Sequence, residues 1–469
     1  MENSNAKKGL NISAKSFIAA IAIIFALMCV SYGLTFVIPG GEYARTITAD
    51  GSTVLDTEGG FSYVDGGISF WKWLCSPVLT LTADGGGTII AIIAFLLVIG
   101  GVFNSLEKSG LIKYILDRIV DQFGHARYRL MAVVILFFMA LGSFIGSFEE
   151  CVPLVPIVVA LSVTLGWDSL TGLGMSLLAA GCGFAAGVCN PFTVGVAQEL
   201  AGLPTFSGMG FRLAGFILIY LLLLWFLRHH AKKIEQPLNK DEFSNGFVPQ
   251  KRMDRGMIAF AGILGTGITC VLCSVFLTFL QDYTMIIVAI MFLVAGIVSV
   301  LISGMNGKNL GITFANGLVS ILPAVLMILM ASSIKYTLDE ANILDTILHS
   351  AVEIAETLPK EAVVIFIYII VLVMNFFISS GSAKAFLLMP LIVPLAQIFD
   401  ISSQLCVMAF AFGDGFSNVL YPTNPVLLIS LGLSGVSYIK WFKWSWKFQL
   451  MIFILTSALL LVGLSTGYN

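Results

Sequence analysis

Four ionisable side chains lie deep inside apolar sequence and are the residues best suited to chemistry: Glu149, Glu150, Lys384 and Asp414. A charge inside a bilayer costs about 2.5–3.5 kcal/mol on insertion scales, so its presence there indicates a function. The structural alternative is an ion pair, such as Glu150 with Lys384, that holds two segments together. With three acids beside one base, the set could also bind a charged solute or a coupling cation.

These charges lie in segments whose composition breaks a membrane helix. Glycine, proline and small polar residues are concentrated at Gly142–Glu150, Gly181–Thr193, Ser379–Lys384 and Gly413–Asn418. A proline within a span frees backbone carbonyls, and Asn, Ser or Thr side chains can join them around a ligand. Helix N-termini exposed at such breaks favour anions, whereas C-termini and carbonyls favour cations.

We therefore expect a small-molecule substrate to bind at the breaks. The predicted ligands are Ser147, Glu149, Glu150, Asn190, Thr193, Ser380, Ser382, Lys384, Asp414, Asn418 and Thr423. A sodium ion, as one candidate coupling ion beside a proton, would lie near Ser147, Asn190, Ser382 and Asn418. No catalytic residue, cofactor or nucleic-acid partner is predicted, because the sequence contains no HExxH motif, no GxSxG with a plausible base and no basic domain.

Composition places these breaks in a multi-pass membrane protein. Hydrophobic residues make up 58% of the 469-residue chain and charged residues 11%, against about 25% charged residues in soluble domains. The stretches 16–41, 256–281 and 283–307 contain no charge, and each exceeds the roughly 20 residues needed to span a bilayer. We read the first as a retained anchor rather than a cleaved signal peptide.

Lysine and arginine in short loops predict the orientation. Lys7, Lys8 and Lys15 place the N-terminus, residues 1–15, in the cytoplasm, whereas the acidic loop 42–68 should lie outside. The basic segment 228–255 is a cytoplasmic linker that divides the chain nearly in half. We expect the location to be the inner (cytoplasmic) membrane.

The two halves, 16–227 and 256–469, carry the same landmarks in the same order. Gly146-Ser147 recurs as Gly381-Ser382, with 381 − 146 = 235, and Pro191 recurs as Pro422, with 422 − 191 = 231. A Leu-acid-x-x-x-Leu/Ile pattern beginning at 106 recurs at 338. Because the first copy of that stretch is basic and the second acidic, the repeats should be inverted, as in secondary transporters. We predict re-entrant hairpins at about 128–166 and 361–400, each followed by a discontinuous helix.

The motifs GSFEE, GFAAGVCNPFTVGVA, SGSAKAFLLMPLIVPLA and FGDGFSNVLYPTNPV resemble the YfcC-like, C4-dicarboxylate-carrier-related family of the ion transporter superfamily. The resemblance covers residues 16–460. It implies an all-α protein with two inverted repeats, a homodimer and elevator-type movement. The sequence departs from it at Lys384, where a neutral polar residue such as Gln is expected.

Two substrate classes remain open. An acid-rich site suits an amino acid, either in basic amino acid exchange or in ion-coupled uptake, with its carboxylate at Lys384 or a hairpin amide. A C4-dicarboxylate or other carboxylate could instead bind Lys384 while the acids hold sodium or protons. An intramembrane enzyme is disfavoured by the missing motifs, and a channel would not need duplicated broken hairpins.

Overall fold

The structure is a computed structural model that describes residues 14–47, 53–55, 60–83, 86–123, 126–146, 148–204, 206–236, 249–274 and 284–468. Most of these residues are helical. Within the described part, eight helices are long and apolar enough to cross a membrane. The protein is therefore a multi-pass membrane protein, as its composition predicts.

The helices of the first half are α1 (Ala14–Leu34), α2 (Phe70–Leu79), α3 (Gly86–Lys108), α4 (Leu111–Phe123), α5 (Arg127–Ala140), α6 (Val155–Thr164), α7 (Ser169–Leu173), α8 (Ala179–Ala186), α9 (Val196–Leu200) and α10 (Met209–Ile234). Those of the second half are α11 (Lys251–Ser274), α12 (Thr284–Ile302), α13 (Gly307–Glu340), α14 (Leu344–Ala355), α15 (Lys360–Phe377), α16 (Gly381–Ile398), α17 (Ser403–Ser417), α18 (Pro425–Leu433) and α19 (Tyr438–Thr466). Wide helical turns at Leu141–Ile145, Gly174–Leu178 and Pro191–Gly195 and a tight turn at Glu149–Leu154 extend several of them.

The order of these elements repeats between the halves. A long helix (α3, α13) leads to a short amphipathic helix (α4, α14), then to two helices separated by a break (α5–α6, α15–α16). A second interrupted run (α7–α9, α17–α18) and a long final helix (α10, α19) follow. The repeated order agrees with the duplication seen in the sequence, and the breaks fall within the two segments where hairpins are predicted.

The prediction of an all-α chain is incomplete, because the acidic loop contains four short strands. They are β1 (Gly41–Tyr43), β2 (Arg45–Ile47), β3 (Thr53–Leu55) and β4 (Phe61–Tyr63), with β1 antiparallel to β4 and β2 to β3. The polar loop falls between apolar runs, so its backbone can pair locally as strands, which Thr, Val, Ile, Tyr and Phe favour.

This strand region is fastened to α14. The carboxylate of Asp345 accepts a hydrogen bond from the Tyr43 amide at 3.0 Å and pairs with Arg45 at 2.9 Å. Burial raises the pKa of the Tyr43 phenol to about 12, and its hydroxyl forms a hydrogen bond with His349 Nδ1 at 3.0 Å. The loop thereby covers one end of the second half.

Two hydrophobic clusters form the interior. The smaller joins α3 with α11, α12 and the start of α13 around Phe103, Phe292 and Phe260. The larger contains the interrupted helices of both halves. The charged and polar residues of the breaks therefore lie in the larger cluster.

Glycines let the helices of the larger cluster touch backbone to backbone. A methyl group at Gly183 would lie 2.0 Å from Met139 O, and one at Gly415 would lie 2.3 Å from Ala185 Cα. The first contact packs α8 on α5 and the second packs α17 on α8. Small residues allow this close approach of membrane helices, which brings the breaks of the two halves near one another.

Candidate functional site

Lys384 and Asp414 form a fully buried ion pair in the second half. Both side chains are 0% exposed, and Lys384 Nζ lies 2.5 Å from Asp414 Oδ1. Lys384 is in the first turn of α16 and Asp414 near the end of α17, so the packing of these helices brings the charges together. No ion pair joins Lys384 to Glu149 in the described part of the chain. The ion pair that the structure shows for Lys384 lies within the second half, and the expected pairing with Glu150 stays a prediction because the side chain of Glu150 lies outside the described residues.

Asn375 connects this ion pair to the break that follows α17. Its side-chain oxygen accepts a hydrogen bond from Lys384, and its nitrogen lies 2.9 Å from Asp414 O and 2.9 Å from Asn418 Oδ1. Asn424 Nδ2 donates to the same Asn418 oxygen at 3.0 Å. One buried network therefore fixes the end of α15, the start of α16 and the break.

The break in the first half is held by a matching contact. Ser143, at the end of the α5 run, accepts a hydrogen bond from Val188 N through its hydroxyl at 3.0 Å and one from Cys189 N through its carbonyl at 3.1 Å. Asn190 Oδ1 then accepts one from Thr193 N at 3.3 Å. Ser143 and Asn375 both come shortly before a hairpin break, and their spacing of 375 − 143 = 232 is close to the repeat offsets of 231 and 235. Each half thus uses a polar residue before the hairpin break to fix its interrupted helix.

The long final helices also make equivalent contacts. Arg212 of α10 donates to Val188 O at 3.2 Å, and Trp441 Nε1 of α19 donates to Val419 O at 2.7 Å. The two carbonyls are related by 419 − 188 = 231, close to the offset of the proline landmarks. Both donors satisfy carbonyls freed by a helix break, as buried backbone requires.

Gly381 lies at one of the contacts between the two halves. A methyl group added there would lie 2.5 Å from Thr193 Cγ2 of the first half and 2.7 Å from Asp414 Oδ2 of the second. Among the described residues, neither Asp414 Oδ2 nor the Thr193 hydroxyl has a hydrogen-bond partner, although both atoms are buried. Buried polar atoms normally have partners. Two buried oxygens without a described partner therefore belong to residues that pack against Gly381, where there is no room even for a methyl group.

The remaining predicted ligands lie at different places around the helix breaks. Asn418 belongs to the hydrogen-bond network of Asn375. Thr423, five residues further along the chain, is buried, and its hydroxyl has no partner among the described residues. Ser380 caps α16 by accepting from Ala383 N at 3.4 Å, and Ser382 is partly buried beside it. Glu149 is partly buried and close enough to Asp414 for their charges to interact.

The side chains of two predicted ligands, Ser147 and Glu150, lie outside the part of the chain that the structure describes. Ser147 is not among the described residues, and neither is the side chain of Glu150, whose backbone lies in the turn Glu149–Leu154. No group of three or more His, Cys, Asp or Glu side chains suitable for a metal ion occurs in the described ranges. Asn418 Oδ1, expected near sodium, already accepts two hydrogen bonds.

Sequence reasoning missed Ser143, Asn375 and Arg212 as residues that position the breaks. The usable signal for Asn375 was its position as an amide inside the uncharged apolar run 362–378. Arg212 gave no such signal. It lies near the start of an ordinary span, yet it is only 1% exposed.

Apolar spans that surround buried charges at two helix breaks define a membrane transport protein. The chain belongs to the DcuC family of C4-dicarboxylate anaerobic carriers, whose family model matches residues 17–465. YfcC of Escherichia coli (strain K12), whose name gives it a proposed role as a basic amino acid antiporter, is 31% identical over 409 residues, 82% of this chain and 79% of YfcC. These matches confirm the resemblance drawn from the motifs. The protein is a transporter and not an enzyme.

Other similar proteins are more distant. An uncharacterized protein of Haemophilus influenzae is 24% identical over 515 residues, covering 99% of both chains. The YdaH transporter of Alcanivorax borkumensis has a TM-score of 0.43 at 17% identity, over 96% of this chain and 98% of YdaH. MtrF of Neisseria gonorrhoeae, from a class of antimetabolite efflux pumps, has a TM-score of 0.46 at 15% identity, over 94% of each chain.

Proposed function

We propose that this transporter is a secondary active carrier of a small charged metabolite, first of all an amino acid, taken up by exchange or by ion coupling. The observation that carries the proposal is the pair of buried, unpartnered oxygens on Asp414 and Thr193, one from each half, on either side of Gly381. A carboxylate oxygen and a hydroxyl oxygen are both acceptors that suit an ammonium or guanidinium donor, which could enter once the close packing at Gly381 opens. The substrate would then bridge the two halves.

The charges nearby favour an amino acid over a dianion. Lys384 is already paired with Asp414, so its charge is largely balanced before a substrate arrives, and Glu149 is a second acidic residue of the breaks. The carboxylate of an amino acid could bind the amides at the start of α16, where the helix dipole favours anions. The proposed role of the relative YfcC agrees with this substrate class.

A C4-dicarboxylate or other carboxylate carrier is the second candidate, because the family model carries that description. In that case Lys384 would leave Asp414 to bind the dianion, and sodium ions or protons would balance the acids. The two candidates differ in what happens at Asp414, which binds the substrate in the first and loses its partner in the second.

Proteoliposome uptake with Asp414→Asn tests the two candidates. We expect the wild type to transport a basic or neutral amino acid in preference to dicarboxylates, and Asp414→Asn to lose amino acid uptake because the carboxylate oxygen is gone. The panel includes imposed sodium and proton gradients and Asp400→Asn as a control, since Asp400 is fully exposed and pairs with the exposed end of Lys360. Preferential uptake of dicarboxylates by the wild type would contradict the amino acid proposal.

The proposed function includes a movement of one part of the protein relative to another. We expect two inverted repeats with re-entrant hairpins at α5–α6 and α15–α16, an elevator movement and a homodimer in the inner membrane with the N-terminus inside. The separate cluster of α3, α11, α12 and α13 supports a fixed scaffold, and the larger cluster with the breaks would move. The sodium ligands suggested by the sequence stay a prediction that applies only if uptake is coupled to sodium.

A further inference from the structure

The surroundings of Lys384 match those of a bound cation. Its ammonium is held by a carboxylate oxygen of Asp414 at 2.5 Å and by the amide oxygen of Asn375. Asn375 is in turn fixed by Asn418 and by the backbone of Asp414. Carboxylate and carbonyl oxygens at a helix break are the groups with which transporters coordinate a coupling ion.

The position of Lys384 within its helix is unfavourable for a purely structural cation. The residue follows the cap Ser380 in the first turn of α16, where the helix dipole disfavours a positive charge. A neutral side chain would avoid both this repulsion and the cost of burying an ammonium. Its presence is explained if Asp414 requires a positive charge that the chain supplies itself.

We infer that Lys384 is a tethered cation that takes the place of a coupling ion on Asp414, so that the carrier works without sodium. The inference rests on the proposed function, in which Asp414 belongs to the substrate site. Lys384 occupies Oδ1 and leaves Oδ2, facing Gly381, for the substrate. The ammonium balances the charge of Asp414 without an ion drawn from outside.

Removing the ammonium should create a site for an inorganic cation. In purified Lys384→Ala, Asp414 and Asn375 keep their oxygens around the emptied space. We therefore expect its melting temperature to rise with the concentration of sodium chloride, compared with choline chloride of equal ionic strength, because a ligand of the folded state stabilises it. The wild type should show no such difference.

Two matched variants isolate the cause. Lys335→Ala removes another membrane lysine, one that is partly exposed and paired with Asp339 at 3.6 Å, and it should not become sensitive to sodium. Lys384→Ala with Asp414→Asn should lose the sensitivity, because the carboxylate is missing. Potassium and lithium chlorides show whether the new site selects by ion size.

Several results would overturn the inference. It is wrong if sodium stabilises the wild type, if Lys384→Ala folds without any response to a cation, or if Lys384→Ala cannot be purified even in sodium. The measurement needs no substrate, so its outcome is independent of the uptake panel. Failure to transport amino acids would remove the proposed function and leave the stability result standing.

Discussion

At the scale of single residues, two buried threonines, Thr193 and Thr456, differ in whether their hydroxyl groups have hydrogen-bond partners in the described part of the chain. Thr456 Oγ1 donates to Ile452 O at 2.7 Å and lies 3.1 Å from the Tyr368 hydroxyl. Thr193 Oγ1, buried next to Gly381, has no partner in the described part of the chain. A hydroxyl with partners contributes to folding, whereas one without them costs free energy until something binds it.

Thr193→Val and Thr456→Val test this distinction, since valine keeps the shape and removes the hydroxyl. We expect Thr193→Val to keep or raise the melting temperature, because it loses no internal hydrogen bond. Its substrate affinity should fall roughly tenfold to a hundredfold, the equivalent of one lost hydrogen bond of about 1–3 kcal/mol. Binding to purified protein and thermal unfolding measure the two effects.

The control should behave in the opposite way. Thr456→Val should lower the free energy of unfolding by about 1 kcal/mol and leave substrate affinity unchanged. Wild-type affinity in Thr193→Val would assign this threonine to packing alone.

At the scale of elements, the packing of interrupted helices depends on glycines that leave no room for a side chain. The backbone of α8 approaches α5 at Gly183, where an added methyl group would lie 2.0 Å from Met139 O. Gly262 of α11 has nothing within 4 Å of the same added group. Both glycines lie in helices, so propensity alone would make alanine favourable at either by roughly 0.5–1 kcal/mol.

Gly183→Ala should therefore lower the melting temperature strongly, because α8 must move away from α5, and that movement shifts the break at Asn190. Gly262→Ala should leave the melting temperature unchanged or raise it slightly. Thermal unfolding followed by size-exclusion chromatography in detergent compares the two. Equal behaviour of both variants would mean that the close contact of α5 and α8 does not limit stability.

At the scale of the whole molecule, the repeated order of elements agrees with duplication, and the proposed elevator movement requires in addition that the two copies be inverted. Asp168 caps α7 by accepting from Thr171 N at 2.9 Å and lies 3.4 Å from His230 at the end of α10. Asp400 lies at the other hairpin, 3.4 Å from Lys360. If the repeats are inverted, these two positions face opposite sides of the membrane.

Single cysteines at positions 168 and 400, in a cysteine-free background, test the orientation with an impermeant thiol reagent. We expect Asp168→Cys to label from the cytoplasm and Asp400→Cys from outside. Lys232→Cys, exposed near His230 on the basic side, is the cytoplasmic control. Labelling of both test positions from one side would refute the inverted repeat.

The sequence by itself determined the features that depend on local chemistry. Long stretches without a charged residue indicate membrane spans, because a charged side chain inside a bilayer is costly and is therefore rare there. Proline, glycine and small polar residues predict the breaks. The helices are interrupted after Ile145, after Ala186, after Phe377 and after Ser417, where those residues are concentrated. Periodic landmarks indicated the duplication without any structure.

Only the tertiary structure decided which groups meet. The sequence offered three acids to Lys384 and favoured the equivalent hairpin tip, yet α16 packs against α17 and brings Asp414 to the ammonium. Thr193 and Gly381 are 381 − 193 = 188 residues apart and touch because the start of α16 packs against the turn Pro191–Gly195. Such contacts depend on how ridges and gaps of whole helices fit together, and no short stretch of sequence contains that information.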